Sequence, residues 1–311
     1  MASLGALLGA TAGIDAFAWS MGGHRVTGVI AAREIAPAAP RVVEAVTSIM
    51  QAHPAAAAFD ARVSEAGTDP FIRLERLFAE MAQWPDEVRG GPFKQYHRGE
   101  WHTIDIPYLV PGFKPATEPQ IPVENLLWAL RENVRVAADS SAPPADRAVA
   151  LCWIFHLVGD MHQPLHAASL YSPEFPDGDR FATRFWVLHP VGNDAVSLHY
   201  VWDSAIQRSQ NMADVEKTAT HLRSVHPPGL FEEMHNRPYR GPDSFARWIL
   251  EESHPLAIGA AYRDGRLAGA PDKKKATRLA EDYIANARTI AARRMAMSGY
   301  RLAEILRAIF P

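Results

Sequence analysis

Two stretches of this sequence repeat one arrangement. His156-Leu157-Val158-Gly159-Asp160 and His199-Tyr200-Val201-Trp202-Asp203 each set a histidine and an aspartate four residues apart. On a helix that spacing puts both side chains on one face. Both pairs sit among apolar neighbours, where an uncompensated carboxylate or imidazole is costly. A hydrogen-bonded core network would account for one such pair. A second copy makes metal ligation the better reading, and imidazole nitrogen with carboxylate oxygen and positions left for water is zinc chemistry. His166 follows His156 by ten residues, roughly 80° round the same helix, and is placed to serve a neighbouring ion. His162 projects to the far side and is a poor ligand candidate. Pro164 crowds the carbonyl of Asp160, so the helix is expected to bend or open there.

Two further segments offer ligands. Trp84-Pro85-Asp86 follows a predicted helix, and Trp101-His102-Thr103 carries His102. Taken singly, Asp86 reads as a surface acid and His102 as a satisfied histidine.

These residues need a scaffold, and the scaffold reads as mainly α. Helical apolar spacing covers 24–35, 40–50, 69–81, 122–134, 244–252 and 273–310. The stretch 144–165 is long and apolar enough to be a buried central helix. Strand signals are few. Residues 180–189 (RFATRFWVLH) predict a short strand or hairpin, while 107–117 and 227–242 read as loops. No repeat or low-complexity linker divides the chain, so one domain over 19–311 is expected.

Residues 2–18 are apolar and end in Ala16-Phe17-Ala18, the small-x-small pattern that precedes a signal-peptidase cut. The stretch is too short for a confident membrane span. Cleavage after Ala18 would leave Trp19 as the first residue of a secreted or periplasmic protein. The composition, 48% hydrophobic and 22% charged over 311 residues, excludes disordered and fibrous classes. A formal net charge of −3 and a pI near 6.5 supply no bulk basic charge for a phosphate-bearing ligand. Bound cations would provide the attraction instead. The single cysteine, Cys152, reads as a small core residue, and a one-cysteine chain has no internal disulfide.

Taken in order, Trp19-x4-His24, Trp84-x-Asp86, Trp101-His102, His156-x3-Asp160-x5-His166, His199-x3-Asp203 and Gly299-x-Arg301-Leu302-Ala303 resemble the trinuclear-zinc, single-strand-specific nucleases of the S-one and P-one type. That family shares a mainly α fold with bacterial zinc phospholipases C. The resemblance runs from Trp19 to the C-terminus. It implies three zinc ions. Asp86, His102, His156 and Asp160 would hold the first, and His166, His199 and Asp203 the second. The amine and carbonyl of a mature Trp19, with His24 and a bridging Asp160, would hold the third. It also implies hydrolysis of single-stranded DNA or RNA to 5′-nucleotides by an activated water, with removal of 3′-phosphates in many members. The catalytic centre would include Asp86 and Asp160, with Arg89 facing the scissile phosphate. A monomer with no stable protein partner and no integral membrane association is expected.

This chain departs from the family at two places. A Gly-Gly-Asn run usually precedes the second His-x3-Asp pair; here Phe181-Ala182-Thr183 follow Asp179-Arg180. Fungal members place an aromatic after the ligand matching His102, where this chain has Thr103. Tyr108 and Phe181 are the rings that could stack a base in its stead. Two other functions remain open on sequence: a zinc phospholipase C, disfavoured by Asp203 and the short Trp19–His24 spacing, and a catalytically impaired zinc-binding protein.

Overall fold

The computed structural model describes residues 19–311, so the stretch expected to be a signal peptide, 1–18, lies outside the described residues. The architecture is mainly α. In chain order the helices are α1 Met21–Ile35, α2 Pro40–Met50, α3 Ala56–Ser64, α4 Pro70–Glu87, α5 Leu126–Ala138 and α6 Pro144–His162. They continue with α7 Leu198–Asp203, α8 Met212–Val225, α9 Glu232–Asn236, α10 Asp243–Trp248, α11 His254–Leu256 and α12 Glu281–Ile309. No helix among the described residues is long and apolar enough to cross a membrane.

α6 is the axis of the molecule. It packs against α4, α5 and α12, and every residue from Ala150 to His162 is buried. Burial on all sides explains why its sequence shows no polar face. Cys152 lies within it, fully buried, with burial pushing its thiol up. α6 stops at His162. Gln163 is extended (φ −81°, ψ 116°), as expected of a residue before proline, and Pro164–Ala167 forms a separate 3₁₀ turn. His166 therefore does not continue the helix face of His156, which corrects the sequence expectation.

α4 also differs from its prediction. Asp69 caps it by accepting from Phe71 N (2.8 Å) and Ile72 N (3.1 Å), and Pro70 takes the first position. The helix then runs through Pro85, so Asp86 sits in its last turn rather than after it.

Strands are short. β1 (Pro107–Leu109) pairs in parallel with β2 (Ser169–Tyr171), inside a stretch read as loop. Of the stretch 180–189 only β3 (Trp186–Leu188) is strand; it forms a hairpin with β4 (Ala195–Ser197), which lies beyond that stretch, and β5 (Thr277–Arg278) adds alongside β3. Helices α3, α8 and α9 had not been expected. α8 buries only Val215, Ala219 and Leu222, a thin stripe in a polar helix.

Two buried ion networks tie the helices. Glu80 on α4 meets Arg25 (3.0 Å), Arg62 (2.7 Å) and Arg76 (2.9 Å). Glu252, in the π-helical stretch Ile249–Ser253, meets Arg294 (2.6 Å) and Arg301 (2.8 Å) of α12.

Candidate metal centre

The buried end of α6 gathers the chemistry. His156 and Asp160 face α4 and the 3₁₀ turn Gly99–His102. Ile104 N donates to His166 O (2.8 Å), and the β1–β2 pairing continues that seam. This brings His102 and His166 to one place although 64 residues separate them. α7 carries His199 and Asp203. Its N-cap Ser197 accepts from Tyr200 N (3.1 Å).

Three donor atoms converge. His102 Nδ1 lies 3.0 Å from Asp160 Oδ2 and 3.0 Å from His156 Nε2, and His156 Nε2 lies 3.3 Å from Asp160 Oδ2. Tetrahedral ligands about 2.0–2.1 Å from a zinc ion stand roughly 3.3 Å apart. Asp86 Oδ1 is 3.8 Å from His156 Nε2. A second group comprises His166, His199 and Asp203, with His199 Nε2 3.2 Å and His166 Nε2 3.9 Å from the Asp203 carboxylate. The other oxygen of Asp160, Oδ1, lies 3.3 Å from His24 Nε2. Asp160 thus faces His102 and His156 with one oxygen and His24 with the other.

The outer contacts select the ring nitrogens. His156 Nδ1 donates to Ala82 O (2.8 Å), His166 Nδ1 to His102 O (2.7 Å) and His199 Nδ1 to Phe181 O (2.6 Å). Each bond leaves Nε2 with its lone pair directed inward, the pattern seen around metal-binding histidines. Gln163 Nε2 donates to Asp203 Oδ1 (2.7 Å). The remaining carboxylate and imidazole atoms are less well served. Both nitrogens of His24, Asp86 Oδ2 and Asp160 Oδ1 are buried without a hydrogen-bond partner.

Charge makes the same case. Burial pushes the Asp160 carboxyl well up, and Asp86 and Asp203 push it further. Asp203 is also raised, chiefly by burial. Burial pushes His24 and His102 well down, as does their repulsion from neighbouring histidines. Divalent cations at these atoms would oppose both effects, since they favour deprotonated ligands. The donor set therefore fits zinc.

Trp19 is wholly buried just before α1 and its N-cap Ser20, and Ser20 N donates to Asp203 O (3.0 Å). The His24 ring stacks on His156 with centroids 3.8 Å apart. A Cβ at Gly159 would lie 2.7 Å from His24 Nδ1, so glycine there lets the ring lie against α6. His162 points away, donating to Val158 O (2.7 Å) and accepting from Arg301 Nη1 (3.0 Å).

The family model for S1/P1 nuclease matches residues 19–311. The chain belongs to the S1/P1 nuclease family. Among curated relatives, Endonuclease 4 of Arabidopsis thaliana is 24% identical, the match covering 75% of this chain and 77% of the relative. Endonuclease 5 of the same plant is 27% identical over the same shares.

A cavity of about 760 Å³ opens beside His102. Arg89, Thr103 and Phe181 line it, as does Asp105, which the sequence reading had not singled out. Arg89 Nη2 holds Asp86 Oδ1 at 2.7 Å. Tyr108 is not among the lining residues; it lies on β1, with its ring 6.3 Å from that of Tyr262. The Asp179 loop forms one wall. Arg180, Phe181 and Ala182 all adopt positive φ (53°, 59° and 62°), a region that glycine and asparagine occupy most easily. The Gly-Gly-Asn run of the family suits such a backbone. Here Asp179 Oδ1 holds the loop, accepting from Leu170 N (3.0 Å), Ala182 N (3.1 Å) and Tyr262 Oη (3.1 Å).

Proposed function

We propose that this protein is a zinc-dependent phosphodiesterase that cuts single-stranded DNA and RNA to 5′-nucleotides and removes 3′-phosphates from nucleotides. The observation that carries this reading is Asp160, whose two oxygens lie 3.0 Å from His102 Nδ1 and 3.3 Å from His24 Nε2 within one buried cluster.

Asp86, His102, His156 and Asp160 would hold one ion, and His166, His199 and Asp203 a second. His24 and Asp160 would hold a third together with the main-chain amine and carbonyl of Trp19. Such ions supply a nucleophilic water near neutral pH and offset charge on phosphate oxygens. The protein's own groups do the rest. Arg89 presents a planar guanidinium at the cavity, able to clamp two phosphate oxygens while Asp86 fixes its position. Ala82 O, His102 O and Phe181 O keep three imidazoles in the tautomer that offers Nε2 inward. Thr103 and Phe181 bound the space where a base would lie.

An amine binds a cation only when free and deprotonated. Release of residues 1–18 by a signal peptidase would therefore be part of maturation, in a secreted or periplasmic monomer.

Parallel assays on single-stranded DNA, RNA, 3′-nucleotides and phosphatidylcholine, using protein that begins at Trp19, test the reading. Turnover of nucleic acid with none on the lipid is expected. Turnover of phosphatidylcholine alone, or zinc bound with no turnover of any phosphoester, would refute it.

A further inference from the structure

The cavity beside the metal cluster has walls of opposite sign. Its acids, Glu100, Asp105 and Glu124, all come from the stretch 97–125. Three of its cations, Arg180, Arg184 and Lys273, come from the Asp179 loop and from the 3₁₀ turn Lys273–Lys275. All three are exposed.

The backbone that carries Lys273 is held in place by the fold. Trp186 N donates to Ala270 O (2.8 Å) and Ala270 N to Trp186 O (3.2 Å), tying the segment before Lys273 to β3. Gly269 permits this approach, because a Cβ there would lie 1.8 Å from Phe185 Cε1. Asp272 Oδ1 then accepts from Lys274 N (2.9 Å) and sets the turn. Lys273 Nζ rests 4.2 Å from the centre of the Trp186 ring, a cation–π contact that keeps the ammonium at the cavity rim. Burial pushes the Asp105 carboxyl up, against the hydrogen bond from Ser169 and the positive charge of Arg180. Arg184 and Lys273 have no carboxylate partner among the described residues. In a chain of net charge −3, such a rim is a local excess of positive charge.

Resting on the nuclease reading above, we propose that Arg184 and Lys273, with Arg180 lining the same cavity, form a backbone subsite that grips phosphates of a single strand outside the scissile one. The chemistry is that of an extended polyanion: exposed cations track phosphates without reading sequence. The subsite makes the enzyme prefer strands several nucleotides long over dinucleotides.

The test compares wild-type protein with R184A/K273A and with the charge-conserving R184K/K273R. Two quantities are read. One is equilibrium binding of a phosphorothioate oligothymidylate of about ten nucleotides across a salt series. The other is the ratio of kcat/KM for that length of normal DNA to kcat/KM for a dinucleotide. For R184A/K273A the slope of log K against log salt becomes shallower by about 1.4, and affinity near 0.15 M salt falls about tenfold. The length ratio falls with it, and R184K/K273R keeps both. An alanine variant with wild-type slope and ratio overturns the proposal, as does loss of both in the charge-conserving variant. If wild-type protein binds the oligonucleotide with the expected slope yet cleaves nothing, the subsite stands and the catalytic reading falls. If it cleaves DNA with no preference for length, the reverse holds.

Discussion

Asp160 is buried at 0% exposure among the imidazoles of His24, His102 and His156, with Asp86 and Asp203 near enough to repel its charge. A carboxylate in that position is stable only if cations share it. Substitution Asp160→Asn removes a donor from two proposed sites at once. Outer partners of metal ligands typically carry a 10–100-fold effect, so loss of this donor should exceed about 100-fold in zinc affinity or turnover. Zinc analysis beside kcat on single-stranded DNA would show it; full activity with wild-type zinc would rule out a bridging role. Gln163 provides a milder probe. Its amide donates to Asp203 Oδ1 at 2.7 Å, so Gln163→Leu should weaken zinc at the His166–His199–Asp203 group by roughly 10–100-fold while the protein still folds. Competitive zinc titration measures this.

The histidines and aspartates that converge at the buried end of α6 were legible in sequence because their types are costly in apolar surroundings and their spacing repeats. Their supports were not. Gln163 and the carbonyls of Ala82, His102 and Phe181 carry no sequence signal, since a main-chain oxygen looks alike at every residue. Asp179 and its left-handed Arg180–Ala182 loop could have been suspected only from a departure at a glycine-rich position. Tyr108 lies outside the cavity lining, on β1 with its ring near that of Tyr262.

At the scale of elements, the helices with broad apolar faces were readable, and the ends of two of them were not. Pro85 lies within α4 and not beyond it, and Pro164 ends α6 instead of kinking it. The difference is whether the residue before the proline can remain helical, which tertiary packing decides. The end of α6 is held from α12 and from the π-helical stretch Ile249–Ser253. Arg294 Nε donates to His162 O (3.1 Å) and Ser253 Oγ to Met161 O (2.5 Å), satisfying carbonyls that a helix terminus leaves bare. Glu252 anchors both arginines. Burial pushes its carboxyl up, but Arg301 and Arg294 prevail and hold it at about 2, below the ordinary 4.5. Its folded-state pKa is depressed, so its contribution is complete above pH 4.5 and is lost as pH falls towards 2. Glu252→Gln should cost on the order of 3 kcal/mol at neutral pH. The gap between variant and wild type should close progressively between those two pH values. Denaturant unfolding of both proteins at several pH values measures it; a gap independent of pH would contradict the account. On the other flank, Glu80→Ala leaves Arg25, Arg62 and Arg76 without their shared partner. A loss of roughly 3 kcal/mol and a lower Tm are expected by the same reasoning.

At the scale of the molecule, segments around His24, Asp86, His102, His156 and His199 deliver their donors to one buried pole, and binding cations there should be coupled to folding. Ligands that bind only the folded state raise its stability by mass action. Chelation should therefore lower Tm as well as abolish activity, and zinc should restore both. The cavity beside this pole also reaches the wall that carries Arg180, Arg184 and Lys273, so a chain of net charge −3 still presents cations near its cluster of buried acids.

The most direct measurement is metal content and activity of the same sample: protein beginning at Trp19, analysed for zinc and assayed on single-stranded DNA before and after chelation. The account predicts three zinc ions per chain, with activity that disappears on their removal and returns on their replacement. A chain that holds no zinc, or that cleaves DNA equally well after complete chelation, would contradict it.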